Sequence, residues 1–395
     1  MKKISLVFLV LSIFSVCLAG CSSEADTSTA ESETSTDQLE AEPIKIGYVG
    51  DLSGSTAVWG QAGLNGAILT AEEINANGGI LGHPVEIVSA DGRGQAADSV
   101  NAFNKLIDQD GVLAVIGTNF SSCNIAMAPI ADENKVPLLA TAASNSKVTV
   151  DADGNLHPYS FRIGFIDPFQ GQVLANFAYN ELNAKTAAVI TNMADDYSVG
   201  LSDYFENQFT SLGGEVVITV EGQSGDNDYR AQLSQIAELN PDVLMIPWTY
   251  KDVALIANQA RELGITSVLI GGDGWDSADL LTIAGSALEG GYYTSQASYA
   301  NEVTKPFAEA YTEEFGITPE TEALFTHDGL YWIKDALERA GEIDSVALHD
   351  ALENTVSFTG LMGEMSIDPS THNPIKPAVI NTIKDGVFEY FGSYK

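Results

Sequence analysis

From Ile44 onward the chain alternates short apolar runs with longer amphipathic segments, and this rhythm constrains the fold more than any other feature. A strand followed by a helix that carries the chain back to the same edge of a sheet builds parallel sheets. Residues 44–49 read as a strand, after which Leu64, Ala67, Ile68, Ala71 and Ile74 recur at helical spacing. Residues 85–88 and 113–116 read as the next strands, with Val100, Phe103 and Leu106 marking the helix between them, and the cycle repeats through 137–139. A second series begins after Asp167, with strands expected at 187–190, 216–220, 243–246 and 268–270. The last section departs from the rhythm. It reads as a long helix over 321–340, with Leu330, Ile333, Leu337 and Ala340 on one face, then β-like segments at 378–383 and 388–390. The expected fold is α/β, with two doubly wound parallel-sheet lobes joined by a multi-stranded hinge. Lobe one is expected at 44–165 plus 294–372 and lobe two at 166–293 plus 373–395. In open sheets of this kind ligands sit beyond the carboxyl ends of the strands, so two facing lobes make a cleft.

The amino terminus is of another character. Lys2 and Lys3 precede an uncharged apolar run over residues 4–19, which is short for a spanning helix and ends in Leu18-Ala19-Gly20-Cys21. This order of charge, apolar length, small residues and cysteine resembles the lipobox of bacterial lipoproteins. The resemblance implies a signal peptide over 1–20 and lipidation of Cys21. Residues 21–43 are rich in Ser, Thr, Ala, Asp and Glu and hold almost nothing apolar to bury. Such a stretch does not offset its ordering entropy and is expected to be a disordered tether.

The formal net charge is −36, and loss of residues 1–20 removes two lysines and no acid. A surface so acidic repels nucleic acid and anionic lipid, so neither is an expected partner. With Cys17 in the signal segment and Cys21 lipidated, Cys123 has no intrachain partner, and it reads as a small buried apolar residue. No enzyme signature appears. His83, His157, His327, His349 and His372 have no paired metal-ligand spacing, and neither a nucleophile elbow nor a phosphate-cradling loop is present. The regularly spaced Gly60, Gly63 and Gly66 suit close helix packing, and Asp151-Ala152-Asp153-Gly154-Asn155 suits a polar turn rather than a calcium loop. No catalytic residue, metal or cofactor is expected.

Several polar and aromatic residues fall just beyond expected strand ends. Ser121 and Ser122 open a helical stretch, where hydroxyls, free backbone N–H groups and the helix dipole favour an anion. The residues alone leave an ordinary N-cap pair equally open. Asp273 lies in Gly271-Gly272-Asp273-Gly274-Trp275, a glycine-rich turn that either aims a carboxylate into a cleft or is only a turn. Trp59, Trp248, Tyr250 and Trp275 are expected as pocket walls with at least one of them in the core, and Tyr197 follows Asp195-Asp196 after a strand.

In order and spacing, the chain resembles the branched-chain amino-acid-binding proteins of ATP-driven importers, the type I solute-binding fold. The segments that carry this are Ile46-Gly47-Tyr48-Val49-Gly50-Asp51-Leu52-Ser53-Gly54, Glu73-Ile74-Asn75-Ala76-Asn77-Gly78-Gly79-Ile80-Leu81-Gly82, Ile116-Gly117 through Ser121-Ser122, Pro137 through Ser144, Phe161-Arg162 through Phe165 with Asp167, Gln170 and Gly171, and Phe358-Thr359-Gly360-Leu361-Met362-Gly363. The resemblance covers residues 44–395. It implies a body that closes on a zwitterion, with the ligand carboxylate on Ser121 and Ser144; Ser122, beside Ser121, is a further candidate for ligand binding. The ammonium falls on the Ala142 carbonyl, the Tyr197 hydroxyl and Asp273. Trp59 would cover the ligand, and Trp248 and Tyr250 would lie near its side chain, although the pattern around Trp248-Thr249-Tyr250 departs from the family. The function implied is an extracytoplasmic, lipid-anchored, monomeric protein that captures an amino acid, branched-chain or otherwise apolar, for an ABC permease and ATPase complex. A sensory module for an amino acid, short amide or urea is the alternative, since one fold serves both uses.

Overall fold

In the computed structural model the described residues are 41–297 and 302–394. The signal segment, Cys21 and nearly all of the expected tether lie outside them. The first sheet contains β1 (Ile44–Gly50), β2 (Val85–Asp91), β3 (Ala114–Ile116), β4 (Leu138–Ala140) and β5 (Ser160–Arg162), in the order β2-β1-β3-β4-β5. Every pairing in it is parallel. Strands β3 and β4 are buried at every residue, as befits a parallel sheet covered on both faces. Helices α1 (Ala57–Ala76), α2 (Ala96–Lys105) and α3 (Ser121–Asn134) connect the strands. The loop leading into α1 is fixed by the Asp51 carboxylate, which accepts from Gly54 N at 2.6 Å, Thr56 N at 2.9 Å and Thr56 Oγ1 at 2.7 Å.

After β5 the chain crosses to a second sheet through α4 (Asp167–Asn180), which carries Pro168 in its first turn, where a missing N–H costs nothing. There follow β6 (Thr186–Asn192), α5 (Asp196–Ser211), β7 (Glu215–Gly222), α6 (Arg230–Leu239), β8 (Val243–Met245), α7 (Tyr250–Glu262), β9 (Val268–Gly271), α8 (Ala278–Ala284) and β10 (Tyr292–Ser295). The chain then forms α9 (Lys305–Phe315), α10 (Glu322–Ala340) and α11 (Ser345–Glu353). A small sheet of β11 (Phe358–Gly360), β12 (Gly363–Asp368) and β13 (Asn373–Ile375) precedes the returning strands β14 (Ala378–Lys384) and β15 (Val387–Tyr394). The second sheet runs β15-β14-β10-β9-β8-β6-β7, so its parallel body carries an antiparallel edge.

The chain thus passes between the large sheets three times: after β5, after β10 and before β14. Both sheets belong to one compact unit, Ala41–Lys395. Sheet membership shifts the expected divisions slightly. Thr294 and Ser295 pair with Ile380 and Val379 in the second sheet, and Asn373–Ile375 pairs with β12. Backbone pairing reaches two residues past the expected division at 293 and three past that at 372.

Helix α10 is buried on almost every face, packing with Phe325, Leu330, Trp332 and Ile333 into the first sheet's core. Its approach to α1 depends on glycines. A Cβ at Gly66 would overlap the Ala323 backbone, one at Gly63 would strike Tyr48 and Glu322, and one at Gly60 would overlap the Asp51 backbone. The glycine spacing therefore serves packing, as the sequence predicts. Cys123 is buried and unpaired. Among the described residues no helix is long and apolar enough to cross a membrane, and no cluster of three or more acid, histidine or cysteine side chains is arranged to hold a metal.

Candidate functional site

A cavity opens where the carboxyl ends of the two sheets face each other. From the first sheet's side Trp59, Ser121, Ala142, Glu322 and Phe325 line it, and from the second sheet's side Asp195, Tyr197, Thr249, Asp273 and Asp276. Gln296, on the crossing after β10, completes the wall. Its position beyond β3, β4, β6, β8 and β9 follows from sheet topology.

Ser121 is the first residue of α3 and is 1 % exposed. Its Oγ accepts from Asn145 N at 3.2 Å, leaving its own proton to donate. Ser122 points elsewhere. Its hydroxyl donates to Asp195 Oδ1 at 3.3 Å and accepts from Asp196 N at 3.3 Å, tying α3 to the start of α5. Ser144 is fully buried behind the cavity, and its hydroxyl faces Asp167. Burial nevertheless pushes the Asp167 carboxyl up to about 8.

The strip 142–145 is held from below by Arg162. Its buried guanidinium donates to Ala143 O at 2.9 Å and Asn145 O at 2.6 Å, fixing the turn that presents Ala142 to the cavity. Burial lowers its pKa to about 10. The sequence marks Arg162 only through a family-like segment, because nothing local in Ser-Phe-Arg signals that it supports a loop from another strand.

Opposite this strip stands Asp273. Its Oδ1 accepts from Gln170 Nε2 at 3.3 Å and its Oδ2 from Gln296 Nε2 at 2.9 Å, while Gln170 Oε1 takes the Asp273 N–H at 3.0 Å. Burial raises the Asp273 carboxyl to about 6, and the amide donors oppose that rise. Tyr197, in the first turn of α5, accepts from Gly274 N at 3.1 Å, and burial holds its phenol well above the ordinary value. Gly272 lies beneath that hydroxyl, where a Cβ would collide with it. Asp276 lines the same wall, accepting from Ser295 Oγ at 2.7 Å and Thr321 Oγ1 at 2.9 Å.

The aromatic residues divide. Trp59 lines the cavity and reaches across it, donating from Nε1 to Asp276 O at 3.2 Å and meeting the Tyr250 ring edge-on at 4.9 Å. Tyr250 is buried behind Trp59, not in the wall. Trp248 donates to Ile190 O at 2.6 Å and packs on Tyr229, and Trp275 donates to Ile246 O at 2.8 Å. Both indoles are core of the second sheet, so the core role expected for at least one of the four aromatics falls to Trp248 and Trp275, and of the expected pocket walls Trp248, Tyr250 and Trp275 do not line the cavity. A position just past a strand end does not settle whether the side chain turns toward the cleft or under the sheet. Glu322, Phe325, Thr249, Asp276 and Gln296 were not singled out by the sequence. Each lies in an ordinary helix start or turn, and only the fold brings it to the cavity.

A family model described as periplasmic binding protein matches residues 43–387. The chain belongs to that family. Among solved structures it is similar to a leucine binding protein LivK from Thermotoga maritima, with 37% identity, 89% of this chain and 98% of that one covered, and a TM-score of 0.82. It is also similar to the branched-chain amino acid transporter substrate binding protein LivJ from Streptococcus pneumoniae in complex with isoleucine. There the identity is 31%, with 89% and 99% covered and a TM-score of 0.81. An amino acid binding protein of Pseudomonas aeruginosa is 29% identical over 306 residues, 76% of this chain and 80% of that protein. In this periplasmic binding protein the matched region spans the first large sheet, the second up to its edge strand β15, and every residue that lines the cavity.

Proposed function

We propose that this periplasmic binding protein captures an α-amino acid, branched-chain or otherwise apolar, in the cleft and delivers it to an ABC permease and ATPase complex. The observation that carries the reading is the division of the cavity wall. Ser121, at a helix start, and the Ala142 carbonyl lie on one side, and Tyr197 and Asp273 lie on the other. A zwitterion offers an anion to the first helix start and a cation to the opposite carboxylate, and each buried charge needs such a partner. Trp59 and Phe325 supply apolar surface for the side chain. Relatives named for leucine and isoleucine support the choice of ligand.

The lobes, divided near residues 165, 294 and 373, close on the ligand as a hinge, and binding energy supplies the population shift. The protein works as a monomer on the extracytoplasmic face of the membrane, held there by a lipid on Cys21 and by the tether over 21–43. It performs no catalysis. Calorimetric titration with leucine, isoleucine and valine, and with their amides, tests the reading. Tight binding of an amino acid and weak binding of its amide is the expected result. Equal binding of the two, or binding of neither, overturns it.

A further inference from the structure

The proposed ligand needs one anionic partner for its ammonium, and Asp273 supplies it from the second sheet's side. The cavity holds another carboxyl on the opposite side whose bonding is incomplete. Glu322, the first residue of α10, is only 4 % exposed and lines the cavity. Its Oε1 accepts from Thr141 Oγ1 at 2.5 Å. Its Oε2 has no hydrogen-bond partner among the described residues. Thr141 directly precedes Ala142, whose carbonyl is the first-side acceptor for the ammonium, so the bond anchors Glu322 beside that position. Among the described residues no lysine, arginine or histidine lines the cavity to neutralise it. The packing is deliberate in a structural sense, because Gly63 leaves the space that the Glu322 stem fills.

We propose that Glu322 is a second ammonium partner, so that carboxyls from both sides of the cleft, Glu322 and Asp273, close on one cationic nitrogen of the ligand. This rests on the amino-acid reading above and deepens it. Asp273 and Glu322 line the same cavity from its two sides. Burial pushes Glu322 up to about 8, and Asp273 adds to the rise. An ammonium between them favours the ionised form of both carboxyls, so the pair selects amines against isosteric neutral solutes.

The test compares leucine with 2-hydroxyisocaproate, in which a hydroxyl replaces the ammonium, by calorimetric titration of wild type and Glu322→Gln. Glutamine retains the shape and an acceptor for Thr141. The wild type is expected to prefer leucine strongly, and Glu322→Gln is expected to lower that preference at least tenfold. If both ligands weaken by the same factor, Glu322 is only a structural support and the proposal falls. Thr141→Ala keeps the carboxyl but frees it from its anchor, so even if Glu322→Gln folds poorly this variant should lower the preference, by less than loss of the carboxyl would. A wild-type preference in Thr141→Ala would show that the anchored carboxyl does not set it and would overturn the proposal. Failure of the wild type to bind any α-amino acid would instead defeat the underlying reading of function. That outcome is distinct from leucine binding that Glu322→Gln leaves selective.

Discussion

Replacing Arg162 with methionine should damage stability and binding together. The guanidinium is fully buried and donates to Ala143 O and Asn145 O, and its Nε has no partner among the described residues. Methionine fills most of the same space but leaves both carbonyls without a donor. Hydrogen bonds from a charged group are worth about 1.5–3 kcal/mol each, so the gross loss is about 3–6 kcal/mol. Relief from burying a guanidinium offsets part of this. The nearby Asp167 adds little at neutral pH, because its carboxyl, pushed up to about 8, is mostly protonated there. A net loss of about 2–4 kcal/mol is expected, read as a lower urea midpoint at unchanged slope. Because the strip 142–145 carries Ala142, which lines the cavity, leucine affinity should fall as well. A midpoint within about 0.5 kcal/mol of wild type, the ordinary range for a surface change, with unaltered binding would refute the reasoning.

Trp248→Phe should cost about 1–3 kcal/mol through the unpaired Ile190 carbonyl yet leave ligand affinity within about twofold, because the indole is core. An affinity loss as large as that of a cavity residue would return Trp248 to the site. The raised carboxyl of Asp167 makes the folded state bind more protons than the unfolded one between the ordinary aspartate range and about 8, so stability falls as pH rises through that window. The melting temperature of ligand-free protein should drop from pH 5 to pH 8.5, and Asp167→Asn should flatten the drop. An unchanged slope in that variant would count against the buried acid. Cys21→Ala should release the folded body from the membrane fraction, and its retention through detergent-free washing would argue against a lipid anchor.

Sequence periodicity located the strands whose apolar runs are longest, such as β1 and β6, within a residue or two. It passed over β10 and the short β11 to β13, because Tyr292–Ser295 follows a glycine pair and the small sheet exposes much of its surface. The cavity was legible only in part. Ser121 and Asp273 sit where strand ends and glycines announce a site, and Trp59, Ala142 and Tyr197 came from family resemblance. Arg162, Gln170, Gln296 and Glu322 act on partners more than a dozen residues away, and no local pattern encodes that. Trp248 and Trp275 failed as pocket walls because the same position after a strand serves the core equally well.

The central claim is that Asp273 holds the ammonium of a bound amino acid. Titration of leucine into wild type and Asp273→Asn tests it most directly. Removing one partner of a buried charged pair costs about 2–5 kcal/mol, so affinity should fall at least about thirtyfold while the unfolding midpoint stays close to wild type. Leucine binding to Asp273→Asn with wild-type affinity would contradict the account and leave Asp273 as a residue of the turn.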